Sequence, residues 1–465
     1  MTTSGQTARG RTKDTVSLAE FSETLFAQLP RTDQLRWARV YLQGLLATPG
    51  RKSVRRMAEA VTLSPTASQS LQQFVNMSPW QWDATRQELA RWIDSHFTAQ
   101  AWTVVPAVLP KRGNHSVGVH QRFVPEFERT VNCQLSVGIF LSSSSEHLPV
   151  GWRLHLPERW TQEEERRRVR VPGSVPFRPY WAHVVGLVEA LSTHSSIVPA
   201  PVVADVGPTA EARRVMERLN AGGHGFALAV DQDLRLLPDT AAPLRPSAPG
   251  GPQAGENAFQ RLLRSGLRHP HIATTAGPDG SLRRVQVASV PTRTPVLRAD
   301  GTRTVADGRL FAEWDPARRR LGRIWITNLA HYRIEELLKL TALLQGAADT
   351  VTTLGEHHGI RDFEGRSYPG WHRHMTLVSA AYAYHRLTGA PAAAVGVPAA
   401  GATGGPGRAA RGTGGAGRTS GHLVGLRQPR TGSPSGNDAH PAHGGPPAPR
   451  RNLSAVRPLP TGSAE

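Results

Sequence analysis

The stretch Pro201-Val202-Val203-Ala204-Asp205-Val206-Gly207 narrows the choice of fold more than any other part of this chain. An apolar run ends on one carboxylate, and a glycine follows closely. Pro208 to Asn220 then reads as a helix, with proline at its start, Glu211 in its first turn, and Ala212, Val215, Met216 and Leu219 at helical spacing. A buried strand that delivers an Asp at its carboxyl end and turns into a helix is the βα unit of an α/β sheet. There the acid serves either as a metal-binding or catalytic group, or as a helix cap or turn residue. Phe226 to Val230 supplies the next apolar run and closes a βαβ unit.

Upstream the period is helical. Leu18 to Phe26 and Thr32 to Leu46 are punctuated by Pro30 and Pro49-Gly50. Ser53 to Val61 and Pro65 to Val75 follow, with the rhythm of a helix-turn-helix. The polar face Ser68, Gln69, Gln72 and Gln73 suits base edges or phosphates, and equally an ordinary solvated helix face. Trp80, Trp82, Leu89 and Trp92 mark one more amphipathic helix and read as core. Residues 1–15 are polar and read as a frayed end.

From Ala101 the period changes to that of strands. Ala101 to Leu109, Val117 to Val124, Thr130 to Leu141 and Val150 to Leu156 read as an antiparallel meander. Cys133, the one cysteine, excludes an intramolecular disulfide and a Cys-rich zinc site, and reads as a small core residue. Thr161 to Arg170 reads as an Arg-rich linker and Trp181 to Leu191 as a helix. Residues 238–307 are rich in Pro, Gly, Arg and Ala and read as an insertion with one short β candidate, Val285 to Val290. Strands resume at Leu310 to Trp314 and Arg323 to Asn328. Helices follow at Ile334 to Leu344, Ala347 to His357 and Trp371 to Leu387. Beyond about Thr388 aromatics and Lys vanish, and the composition is that of a disordered basic tail.

The 465 residues, 39% hydrophobic with 11 Trp, suffice for a sizeable core. The formal net charge of +19 directs the chain to a polyanion, most naturally nucleic acid. The positive charge is mostly Arg, which suits bidentate phosphate contacts. It clusters at Arg51-Lys52-Ser53-Val54-Arg55-Arg56, at Arg166 to Arg170 and at Arg318 to Arg323. No apolar run is long enough for a membrane span, and the polar start lacks a secretory region, so a cytoplasmic location is expected. A Gly-rich phosphate loop and a nucleophile elbow are both missing. His372 and His374 stand two apart on a predicted helix and point in different directions, which argues against a joint metal site.

Phe363-Glu364-Gly365-Arg366-Ser367, followed by Gly370-Trp371-His372-Arg373-His374-Met375-Thr376-Leu377-Val378, resembles the carboxyl-terminal signature of bacterial insertion-sequence transposases. The group is the one named for insertion sequence seven-zero-one, with an RNase-H-like DDE fold. Trp152-Arg153-Leu154-His155-Leu156-Pro157 is similar to a strand of that family. So are His115 to Val119, Asn132-Cys133-Gln134 and the amino-terminal stretch from Leu29 to Val75. Val202 to Gly207 resembles the strand carrying the family's second acid.

The resemblance implies an α/β fold: an RNase-H-like mixed sheet flanked by helices. It implies a helical DNA-binding region over 16–100, a core over 101–388 with the insertion at about 238–307, and a tail over 389–465. It implies DNA, the ends of an insertion sequence, as partner, and allows a homo-oligomer on that DNA. Its chemistry is strand cleavage and transfer, with three carboxylates holding two Mg²⁺ (or Mn²⁺) ions about 4 Å apart. Asp205 is then the expected catalytic acid and metal ligand. Arg51, Lys52, Arg55, Arg56, Gln69, Gln73 and Arg366 are the expected DNA contacts.

The chain departs from this pattern at two acids. Counting back from Lys111 and Gly113 puts the family's first Asp on Val105 or Pro106, and an ungapped count from the Phe-Glu-Gly-Arg signature puts its Glu on Ala348. Glu335, Glu336 and Glu356 are the available replacements, and each also reads as a solvated helix-face residue. Two functions stay open: a transposase that cuts and joins strands, and a catalytically inactive relative that binds DNA without cutting. A nuclease of the same fold outside a mobile element is a third.

Overall fold

The computed structural model describes residues 16–124, 128–193, 196–207, 209–237, 256–276, 281–298 and 300–389. The start expected to be frayed and the tail expected beyond Gly389 lie outside the described residues, as does 238–255 of the expected insertion.

Among the described residues five helices come first: α1 Leu18–Leu25, α2 Thr32–Ala47, α3 Val54–Val61, α4 Ala67–Asn76 and α5 Trp82–His96. Their starts are written in the sequence. Ser17 and Glu20 form a capping box on α1, and the Ser53 side chain accepts from the Arg56 N–H on α3.

The sheet begins with β1 Ala101–Pro110, β2 His120–Val124, β3 Arg129–Ser142 and β4 His147–Leu154. It continues through α6 Glu163–Val169, α7 Tyr180–Ser192, β5 Val202–Asp205, α8 Thr209–Ala221 and β6 Phe226–Val230. After the short α9 Ala258–Arg261 come β7 His271–Ala276, β8 Leu282–Leu297, β9 Arg303–Asp315, β10 Arg320–Leu321 and β11 Ile324–Thr327. Two long helices close the fold, α10 Ile334–His357 and α11 Tyr368–Thr388.

The strand order is β2-β3-β1-β5-β6-β11-β9-β8-β7, with β4 also paired to β3 and β10 to β9. β3 runs antiparallel to both β1 and β4, β5 runs parallel to β1, and β6 runs parallel to β5. This is the RNase-H-like mixed sheet that the resemblance implied. β1 is buried without alternation from Ala101 to Val105, as a strand covered on both faces must be. Helices α7, α8, α10 and α11 pack against the sheet, and α11 also packs on α2, α4 and α5. That placement explains why α11 is buried nearly all round from Tyr368 to Tyr384.

Several expectations are corrected. β1 pairs with β3 and not with β2, so the first strands are not a simple meander. Thr161 to Arg170 is not a linker: it holds α6, with Glu163, Glu164 and Glu165 at its positive end and Arg166, Arg167 and Arg168 at its negative end. The two helices read over 334–357 are one, α10. Its Gly346 is no break but a notch, where an added Cβ would collide with the His147 ring. The described part of 256–307 is no loose insertion: β7, β8 and β9 extend the central sheet. Pro291 and Pro295 sit in β8 beyond the stretch Leu282 to Val287 that β7 covers, where a missing N–H leaves no partner short.

Candidate functional site

The parallel strands β1, β5 and β6 end on one edge of the sheet, the usual place for function in such folds. Asp205 closes β5 there. Gly207, at a φ of +69°, makes the turn that lets its own N–H donate to Asp205 Oδ1 at 3.2 Å. Arg323, just before β11, brings Nη2 to 3.7 Å from Oδ2. Burial raises the Asp205 pKa, while Arg323 and the Gly207 N–H oppose the rise. The side chain keeps 26% of its surface open.

Register places the neighbouring residue on β1. Val104 pairs with Ala204, so Val105 lies level with Asp205 and its side chain shares the same face. Val105 is 2% exposed, and Pro106 points to the other side and is exposed. The register therefore sets an apolar side chain beside Asp205 on that face. The replacement acids do not come to the edge as a set. The Glu336 carboxylate accepts the Arg333 N–H at 2.7 Å and caps α10. Glu356 is exposed and lies 3.8 Å from His357. Ala348 offers no ligand. Among the described residues no three His, Cys, Asp or Glu side chains gather to hold a metal ion. One carboxylate beside a valine and an arginine does not fit a pair of divalent cations.

One acid near Asp205 shows in the sequence only as a first-turn residue. Glu211, in the first turn of α8, accepts the Trp181 N–H at the start of α7, while its Oε2 is buried without a partner. Tyr180 is 8% exposed, and its hydroxyl also lacks a partner. Burial, then the charges of Asp205 and Glu211, raise the Tyr180 pKa, so all three groups share one neighbourhood. A Glu six residues beyond a strand-end Asp, across a βα turn, was the signal available.

The rest of the edge is basic. Arg318 and Arg319 in the turn and Arg320 at the start of β10 are exposed and lead to Arg323. Arg122 on β2, Arg153 on β4 and Arg178 before α7 surround a group of histidine rings. His155 lies 6.3 Å from His120 and 5.7 Å from His183, centroid to centroid. Burial first, then His120 and Arg122, hold His155 down at about 4. Burial, then His155, Arg153 and Arg178, hold His183 at about 3. At neutral pH these rings are uncharged, and the arginines carry the positive charge. No sequence run announced Arg122, Arg153 and Arg178, because three separate segments deliver them.

The expected DNA contacts lie beside this edge. α3 and α4 form where the helix-turn-helix rhythm put them, with Gln69 and Gln73 exposed on α4. Arg51 is exposed and pairs with Glu364 at 3.0 Å, Arg55 pairs with Glu59 at 2.8 Å, and Arg56 donates to the Pro49 carbonyl. Arg366 is exposed, and its carbonyl accepts the Val117 N–H. Lys52 departs from the expectation. It is 4% exposed, its Nζ donates to the Thr48 carbonyl and its N–H to Asp362, so it faces inward. Lys111, at the end of β1, donates to the carbonyls of Arg361 and Phe363, and burial lowers its pKa to about 8. These bonds join the Phe-Glu-Gly-Arg loop to both α3 and the sheet edge. His372 and His374 are structural: His372 meets Arg86 and stacks on Trp82, and His374 bridges the Tyr41 hydroxyl and the Gly359 carbonyl.

A family model described as DDE superfamily endonuclease matches residues 24–291. Among solved structures, the chain is similar to piggyBac transposase in a synaptic complex with hairpin DNA, determined by cryo-EM. The identity is 10%, the match covers 80% of this chain and 70% of that one, and the TM-score is 0.38. No curated protein matches.

Proposed function

The chain belongs to the DDE superfamily of endonucleases, whose model spans well over half of its 465 residues, and from that premise we propose a transposase-like protein that binds DNA without cutting it. DDE endonucleases use divalent metal ions, held by carboxylates. The observation that carries the reading is the pairing register: Val105 stands level with Asp205, and Arg323 takes the place beside the carboxylate. Without a second acid there, the edge keeps the scaffold of strand transfer but not the ligands.

What it retains suits phosphates. Arg178, Arg318 to Arg320 and Arg366 are exposed on or beside this edge. The helical region over 16–100 adds Arg51, Arg55 and Arg56, with Gln69 and Gln73 on α4 for base edges. The partner on this reading is DNA at the ends of an insertion sequence, met in the cytoplasm, and binding by a homo-oligomer is compatible with it. Among the described residues no helix is long and apolar enough to cross a membrane.

One observation favours the cutting reading, the unpartnered Glu211 Oε2 near Tyr180 and Asp205. Supercoiled plasmid incubated with purified protein and Mn²⁺ separates the two. We expect salt-sensitive retention of intact plasmid. Nicking that disappears in both Asp205→Ala and Glu211→Gln would establish the cutting reading instead.

A further inference from the structure

Phe177 is one of two large aromatic side chains that the described residues leave exposed, at 50%. The other, Phe123, follows Arg122 on β2 and so points to the opposite face from Arg122 and His120. Phe177 lies in the segment Pro176-Phe177-Arg178-Pro179, where prolines on both sides restrict the backbone. Its ring rests against His155, with centroids 6.3 Å apart at 63°. His155 is itself held between His120 and His183. The ring is thus supported from behind and open in front. Arg178 is the next residue and is exposed, and Tyr180, three residues on, shares the surroundings of Asp205.

An apolar ring set in a rim of arginines is poorly matched to an apolar protein surface, since the charges beside it would have to be desolvated. A nucleotide meets both demands: its phosphate suits Arg178 and its base has a flat π-face for Phe177. In intact duplex those faces are covered by neighbouring base pairs, so only a base outside the stack can reach the ring. We propose that Phe177 is a stacking platform for an unpaired base of DNA lying along the sheet edge, with Arg178 holding the adjoining phosphate. The proposal rests on the reading above that DNA occupies this edge.

The test uses the full-length protein and two otherwise identical duplexes, one fully paired and one with a single unpaired purine near its centre. Affinity is read by fluorescence anisotropy, and stacking by quenching of a fluorescent purine analogue at the unpaired position. The wild type binds the interrupted duplex more tightly and quenches the analogue. Phe177→Ala loses about tenfold in affinity for the interrupted duplex, loses the quenching, and binds paired duplex as before. Phe177→Trp retains both signals. Because the side chain is half-exposed, the alanine variant should fold, and unchanged binding to paired duplex is the control. Equal binding of both duplexes by the wild type, or a Phe177→Ala variant that still prefers the interrupted one, overturns the stacking role alone. A wild type that binds neither duplex overturns the reading of the whole edge.

Discussion

At the scale of single residues, the decisive feature is one side chain that is not an acid. Asp205 is held by the Gly207 N–H and faced by Arg323, and strand register sets Val105 beside it. A carboxylate introduced at Val105 would therefore share the Asp205 face, and the substitution tests the register directly. Val105 is buried, so Val105→Asp should cost about 3 kcal/mol or more in metal-free buffer, from an unpaired charge taken out of water. A divalent cation bound between the two acids would return part of that loss by mass action. The expected result is a melting temperature that rises with Mn²⁺ in Val105→Asp but not in the wild type or in Val105→Asn. If Mn²⁺ leaves Val105→Asp unmoved, the two side chains do not face each other. Lys52 teaches the converse lesson. Its place in a basic run suggested a phosphate contact, but its N–H to Asp362 and its Nζ to Thr48 turn it inward, and no charge run records such partners.

At the scale of elements, local chemistry announces what it alone controls. The β5–α8 unit was legible because an apolar run, an acid, a glycine and a helical period follow one another without interruption. α10 looks like two helices in the sequence because the notch that Gly346 offers to His147 joins residues nearly two hundred positions apart. β8 runs longer than its sequence suggests because its prolines are tolerated only where β7 stops, which is a fact about pairing. The basic rim was illegible for the same reason: Arg122, Arg153 and Arg178 become neighbours only when β2, β4 and α7 assemble. α11 shows a local signal that the packing amplifies. Ser367 Oγ accepts the Gly370 N–H at its start, with proline in the first turn. Because this helix lies at the centre of the packing, Ser367→Ala should lower global stability by about 1 kcal/mol and not merely fray an end. Urea unfolding reads this as a lower midpoint with an unchanged slope. An unchanged midpoint would mean that the cap does not limit the helix.

At the scale of the whole molecule, buried histidines couple the fold to pH. His155 and His358 are held at about 4, and His183 and His374 at about 3, in each case first by burial. They come from the end of β4, the end of α10, and the helices α7 and α11, so no single region carries the effect. In the unfolded chain each titrates near the ordinary value of about 6.5. Between that value and the folded ones, the unfolded state binds more protons than the native state. Stability contributed by the neutral rings is therefore complete above about pH 6.5 and is lost as pH falls towards 4. Each ring adds at most about 1.4 kcal/mol per pH unit to the slope. Arginines that stay charged do not titrate over this range, so the DNA contacts proposed for the rim should hold while the fold beneath them weakens. Urea midpoints at pH 7.5 and 5.5 should show a clear loss for the wild type and a smaller one for His183→Asn. A wild type equally stable at both values would mean that these rings are not kept neutral inside the fold.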